Sequence, residues 1–229
     1  YPESVEQQAK RKIRDSVLTD LFRCPEYLRQ AYLALHPEDS DIREDELTNV
    51  TIANTLTDNL YNDLGFVVRD RLLILIEAQS TWSENIIIRF AHYLVDTIHN
   101  YCHEHGQNLC QKAKLKFPKP EMYLIYTGEG KENVKTLRFS DVFFEGKKTQ
   151  FEVEVTVLHA QPDKHDIITQ YIQFCRIYGV QRNLYKDEPR RIVAETIRIC
   201  KDKDILKKYL TKHESEVTRI MFNIFTQEG

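Results

Sequence analysis

Five consecutive aliphatic residues, Leu72-Leu73-Ile74-Leu75-Ile76, run directly into Glu77-Ala78-Gln79, and this stretch limits the fold more than any other part of the chain. The branched, bulky composition suits a strand. Side chains alternate between the two faces of a strand, so Leu73, Leu75, Glu77 and Gln79 share one face and Leu72, Ile74, Ile76 and Ala78 the other. Two polar groups therefore end an otherwise buried strand on a single face.

The preceding segment, Tyr61 to Val68, suits an antiparallel partner joined through the polar Arg69-Asp70-Arg71. A three-residue connection sets Val68 opposite Leu72 and Asp63 opposite Glu77, with Cβ atoms about 4.5 to 5.5 Å apart. A two-residue turn would send Asp63 to the other face. The connecting residues Arg69-Asp70-Arg71 include neither glycine nor Asn-Gly to favour the shorter turn, so the longer connection is expected. Two carboxylates this close repel each other unless a cation lies between them, and hard oxygen ligands select Mg²⁺ or Mn²⁺. Such a metal polarises a phosphodiester, lowers the pKa of an attacking water and stabilises the leaving oxygen. Gln79 is then suited to orient the water or hold a phosphate oxygen. A plainer reading fits equally well: Asp63 and Glu77 are charged strand ends facing solvent. Spacing alone does not choose between the two.

Around the strand pair the pattern is largely helical. Ile13, Val17, Leu21, Leu28, Tyr32 and Leu35 recur at helical spacing with a break near Cys24-Pro25, which predicts two helices. His36 to Thr48 is acidic and polar, a loop or short turn. After Ser83, the residues Ile86, Phe90, Tyr93, Leu94 and Ile98 line one side of a long helix that ends in a His-rich segment containing Gly106. Glu121 to Thr127 reads as a buried strand, and Phe151 to Leu158 alternates like another. Helices resume from Asp163 to Tyr178. Pro189 opens a last helical region to about Phe225, broken near Asp204 and His213. This order describes an α/β or α+β chain with a central mixed sheet covered by helices.

A length of 229 residues allows one sizeable core with an appended helical piece. No apolar run approaches the roughly 20 residues needed to cross a bilayer. The first fourteen residues are polar and charged, unlike a signal peptide, so a soluble cytoplasmic protein without a membrane partner is expected. Five scattered cysteines, Cys24, Cys102, Cys110, Cys175 and Cys200, contain no CxxC pair and suit reduced thiols rather than a disulfide framework. The formal charge of −3 argues against nucleic-acid binding by bulk positive charge but leaves room for a local basic face.

At the central block the chain resembles the PD-(D/E)XK nuclease superfamily and, within it, the recombination-promoting nuclease and putative transposase family of bacteria. The resemblance is carried by Asn62-Asp63-Leu64-Gly65-Phe66, Leu75-Ile76-Glu77-Ala78-Gln79-Ser80, Asn85-Ile86-Ile87-Ile88-Arg89-Phe90 and Met122-Tyr123-Leu124-Ile125-Tyr126-Thr127-Gly128. Ile205 to Leu210 and His213 to Val217 resemble that family's C-terminal helices. The resemblance implies a restriction-endonuclease-like mixed central sheet flanked by helices, with additional C-terminal helices. It implies a nuclease-like domain over residues 1–185 and a C-terminal helical region over 186–229 packed on it. It further implies Mg²⁺ or Mn²⁺ held by Asp63, Glu77 and the backbone carbonyl of Ala78, with DNA as substrate and Gln79 in the position of the superfamily's lysine. Two departures stand out: Asn62 replaces the motif's proline, and the Gln79 amide supplies no positive charge, although Glu-x-Gln resembles a variant of this family. Arg89 is an alternative cation one helix on, and Glu26 is the nearest match to an extra acid found on the first helices of some members.

Arg89 and Tyr93 lie four apart on the helix after the strand and can meet a phosphate together; a packing role or an ion pair fits as well. Trp82 suits packing over the helix start better than stacking on a base. His99, Cys102, His103, His105 and Cys110 have zinc-compatible side chains, but their spacing matches no standard finger, and histidines at a helix end also complement its dipole. Lys201, Lys203, Lys207, Lys208 and Lys212, like Lys10, Arg11, Lys12 and Arg14, suit a solvated face or a DNA backbone. The leading expectation is a metal-dependent DNA endonuclease linked to recombination or mobile elements. The others are a weak or inactive DNA-binding protein of the same fold, and a protein-interaction module whose C-terminal helices form a homodimer surface.

Overall fold

The computed structural model describes residues 17–50, 64–78 and 82–226. Residues 17–23 form α1. There follow α2 (Pro25–Leu35), a 3-10 turn at Glu44–Glu46, β1 (Leu47–Val50), β2 (Leu64–Val68), β3 (Arg71–Ala78) and α3 (Ile86–Glu104). Then come β4 (Lys119–Tyr126), β5 (Thr136–Arg138), α4 (Phe139–Phe144), β6 (Glu154–Leu158), α5 (Ile167–Tyr185), α6 (Pro189–Asp202), α7 (Lys207–Lys212) and α8 (Glu214–Thr226). This is a mixed α/β protein. It divides into two compact units: Ile42–Leu158 holds every described strand, while the residues up to Asp41 and from His159 onward form the other, helical among its described residues. The 185/186 boundary read from the sequence falls within the helical unit, between α5 and α6.

The sheet has the order β1-β2-β3-β4-β6-β5. The first three strands form an antiparallel meander, β3, β4 and β6 are mutually parallel, and β5 closes the far edge antiparallel to β6. A parallel neighbour needs a crossover, and α3 supplies it between β3 and β4. The aliphatic run lies in a central strand, as its composition requires. Its even-numbered row, Leu72, Ile74 and Ile76, joins Leu124, Tyr126, Val155 and Val157 in one core cluster with Ile87, Phe90 and Tyr93 of α3. The odd-numbered Leu73 and Leu75 are also fully buried, as are Phe66 and Ile125. Both faces of β3 are thus withdrawn from water over these residues, and the alternation read from the sequence holds.

The connection between β2 and β3 is shorter than expected. Val68 pairs with Arg71 and Leu64 with Leu75, so only Arg69 and Asp70 make the turn. Arg69 enters the left-handed region at φ +53° with no glycine to help. What overrides turn preference is pairing: Arg71 also registers with Lys119 of β4, and the Lys119 N–H donates to the Asp70 carbonyl at 2.6 Å. The ladder draws Arg71 into β3. The register therefore removes the argument that set Asp63 opposite Glu77, while Asp63 itself lies outside the described residues. The turn makes a measurable prediction. Asparagine tolerates left-handed backbone and a β-branched residue does not, so urea unfolding is expected to find Arg69→Val less stable than Arg69→Asn by about 1–2 kcal/mol. Equal stability would speak for a longer connection without the left-handed residue.

In the helical unit, the break at Cys24-Pro25 and the start of α6 at Pro189 fall where the prolines place them. Asp166 caps α5 by accepting from the Ile168 and Thr169 N–H groups at 3.0 and 2.9 Å. The breaks near Asp204 and His213 separate α6, α7 and α8. All five cysteines are free, and burial pushes the Cys200 thiol up to about 12, which leaves it unreactive. No helix among the described residues is long and apolar enough to cross a membrane.

Candidate functional site

Glu77 and Ala78 are the last two residues of β3, and their register partners on β4 are Ile125 and Tyr126. Because the two strands are parallel, their carboxyl ends finish side by side. In open α/β sheets the loops leaving such ends form the usual ligand crevice. Asp63 and Gln79 lie outside the described residues, and of Glu77 and Ala78 only the backbone is described.

Around this edge the described side chains are tightly organised. Trp82, just before α3, meets Tyr126 edge to face at 5.2 Å between ring centroids and packs against the core cluster. This agrees with the packing role preferred for it from the sequence. The Tyr126 hydroxyl donates to the Glu129 carbonyl at 3.0 Å, folding the turn after β4 back over the ring. Gly128 has no side chain for a reason of space: a Cβ there would fall 2.5 Å from the Tyr126 hydroxyl. Beyond the turn, Lys131 places its ammonium 5.5 Å from the centre of the Trp82 ring, a cation over an aromatic face at the same edge. The sequence reading passed over Lys131. A lone lysine after a Gly-Glu-Gly turn carries no pattern that singles it out.

Arg89 and Tyr93 do meet. The Arg89 Nε donates to the Tyr93 hydroxyl at 3.1 Å, with the guanidinium carbon 5.4 Å from the ring centre. Tyr93 is buried in the core cluster, so its ring is a packing surface and only its hydroxyl end serves as a polar handle. Arg89 is half-buried at the first turns of α3.

Glu26 belongs to the other unit. It sits in the first turn of α2 and forms an ion pair with Lys208 of α7, which holds its carboxyl below the usual value. Lys201 likewise pairs with Glu214 at 2.5 Å, so part of the lysine series on the last helices is already partnered within its own unit. The residues Lys10, Arg11, Lys12 and Arg14 lie outside the described residues.

At the far end of α3, Cys102 is buried and His105 stacks on Tyr101 at 3.9 Å while its Nδ1 lies 2.8 Å from the Tyr101 carbonyl. Gly106, at φ +69°, ends the helix, its N–H bonding the His103 carbonyl at 3.0 Å. His99, His103 and Cys110 line a shallow recess of about 490 Å³ rather than converging on one point. Among the described residues no group of three or more His, Cys, Asp or Glu side chains is placed to hold a metal ion. No protein-family model matches this chain, and neither does any curated protein or solved structure.

Proposed function

We propose that this chain is a metal-dependent DNA endonuclease with a restriction-endonuclease-like fold, its cleavage linked to DNA recombination or mobile elements. The observation that carries the reading is the position of Glu77 and Ala78 at the carboxyl end of β3, beside the carboxyl end of its parallel neighbour. The topology is compatible with this reading: an antiparallel strand pair, a crossover helix and a parallel strand leave Glu77 and Ala78 at the carboxyl end of β3, the end of an open sheet at which ligands commonly bind.

The donors assigned to the metal are the Asp63 and Glu77 carboxylates and the Ala78 carbonyl. All are hard oxygens, a set that fits Mg²⁺ or Mn²⁺ and does not suit a thiophilic ion. When bound, the ion supplies Lewis acidity and a water of lowered pKa. The protein's own part is positioning: the Gln79 amide would orient the water through its carbonyl or hold a phosphate oxygen by donating an N–H to it, and Arg89, braced by Tyr93, brings positive charge to the substrate. Lys131 is a second cation at the same edge.

The experiment is nicking of supercoiled plasmid by the purified chain with Mg²⁺, with Mn²⁺ and with EDTA. Cleavage is expected with either ion and none with EDTA. Salt-sensitive DNA binding without cleavage leaves a non-catalytic DNA-binding protein, and neither binding nor cleavage leaves an interaction module. Because an amide carries no charge, Gln79→Lys is expected to raise the nicking rate about tenfold, equivalent to about 1.4 kcal/mol of transition-state stabilisation. A rate lowered by the lysine shows that the amide itself has a positioning role.

A further inference from the structure

We propose that the loop between α3 and β4 is a contact surface for the phosphodiester backbone of DNA. The ligand class is carried over from the proposed function, whereas the location comes from charge and structure. From His105 to Pro120 the chain carries Lys112, Lys114, Lys116 and Lys119 and no aspartate or glutamate, in a protein whose net charge is −3. Positive charge is therefore gathered here against the trend of the whole chain, which is how a protein without bulk basicity meets a polyanion.

The lysines are available. Lys112, Lys114 and Lys116 are exposed, and none of the three pairs with a carboxylate among the described residues. Lys119 makes a long 3.9 Å approach to Glu121. The loop is nevertheless held in place by side chains acting as backbone substitutes. The Gln107 amide donates to the Lys116 carbonyl at 2.7 Å and accepts from the Lys116 N–H at 2.6 Å. Gln111 spans the other end, accepting from the Asn108 N–H at 3.1 Å and donating to the Ala113 carbonyl at 3.2 Å. Such a scaffold lowers the entropy lost when the lysines engage phosphates. Phe117, 43% exposed beside Lys116, adds a face on which an unpaired base can stack. No helix forms here, which argues against an amphipathic membrane-surface element.

The loop joins β4 at its amino end, opposite Arg71, which lies about 20 Å along β3 from the position of Glu77. Substitutions in it leave the residues assigned to cleavage in place.

The test is duplex-DNA binding by fluorescence anisotropy in EDTA across a salt series, comparing the wild type with Lys112→Ala/Lys114→Ala/Lys116→Ala and with the matching triple arginine variant. Each phosphate contact contributes about 0.9 to the slope of log K against log salt, so the alanine variant is expected to lose about 2.7 from that slope and at least tenfold in affinity. The arginine variant is expected to keep both. An unchanged slope, or an equal loss in the arginine variant, overturns the proposal. So does loss of binding to phosphatidylserine vesicles while duplex binding is intact. Plasmid nicking run in parallel separates the two readings. A wild type that nicks DNA with a lysine-independent slope removes this surface alone, whereas a lysine-dependent slope without nicking supports the surface and removes the nuclease.

Discussion

Glu77→Ala is expected to lower Mg²⁺-dependent plasmid nicking by about 10³-fold or more, a loss of about 4 kcal/mol of transition-state stabilisation. A carboxylate that ligates a divalent ion cannot be replaced by a methyl group without losing both the ion's position and much of its affinity. Asp63→Ala is expected to behave the same way. The double variant should lose little more than either single one, because the two residues serve one ion and their effects do not add. Stability separates chemistry from folding here. The β2–β3 register gives no ground for mutual carboxylate repulsion between positions 63 and 77, so the unfolding midpoint of either variant should simply hold. A variant that loses activity together with a falling midpoint has simply lost its fold, and a wild-type rate in Glu77→Ala removes the proposed site.

How much of this was legible in the sequence depends on what each element draws upon. The aliphatic run of β3, the long α3 and the proline-started α6 declare themselves because periodicity, length and a capping residue agree, and the structure has them where the pattern predicts. β1, β5 and α4 were not legible. They span 4, 3 and 6 residues, too short to show a period, and β1 and β5 exist through pairing with Val68, Val67 and Val155 rather than through their own composition. The β2–β3 register went wrong for a related reason. Turn chemistry is local, but Arg71 is committed by its partner on β4, more than forty residues on, and no local signal reports that. Of the candidate site, the aliphatic run correctly announced a strand that continues through position 77. The meeting of Arg89 with Tyr93 followed from their spacing of four. The alternating lysines of the α3–β4 loop were not singled out from the sequence, because a short run of lysines in a polar connection looks like any solvated loop. Nor was the loop's fixed shape legible, since that depends on Gln107 reaching Lys116.

Phe90→Ala is expected to destabilise the sheet-bearing unit by about 3–5 kcal/mol. Phe90 is fully buried and stands between Ile87 and Tyr93 on the face of α3 that covers Leu72, Ile74 and Ile76. Its ring fills the seam between the crossover helix and the two central parallel strands. Truncation forfeits the transfer free energy of the ring and leaves a void that residues in regular strands can only partly collapse to fill. Val95→Ala on the same helix is the control. Val95 is 59% exposed, so its loss should fall within about 0.5 kcal/mol. Chemical denaturation of both variants reads the contrast directly, and a Phe90→Ala cost no larger than that of Val95→Ala would mean that α3 does not pack on the sheet through this face. The same seam bears on function, because the chain leaves β3 at the Glu-x-Gln segment and enters α3 a few residues later. Packing at Phe90 therefore fixes one end of the connection on which the proposed site is built, and hydrogen exchange at Glu77 and Ala78 should rise in Phe90→Ala before exchange rises in β1 at the sheet's edge.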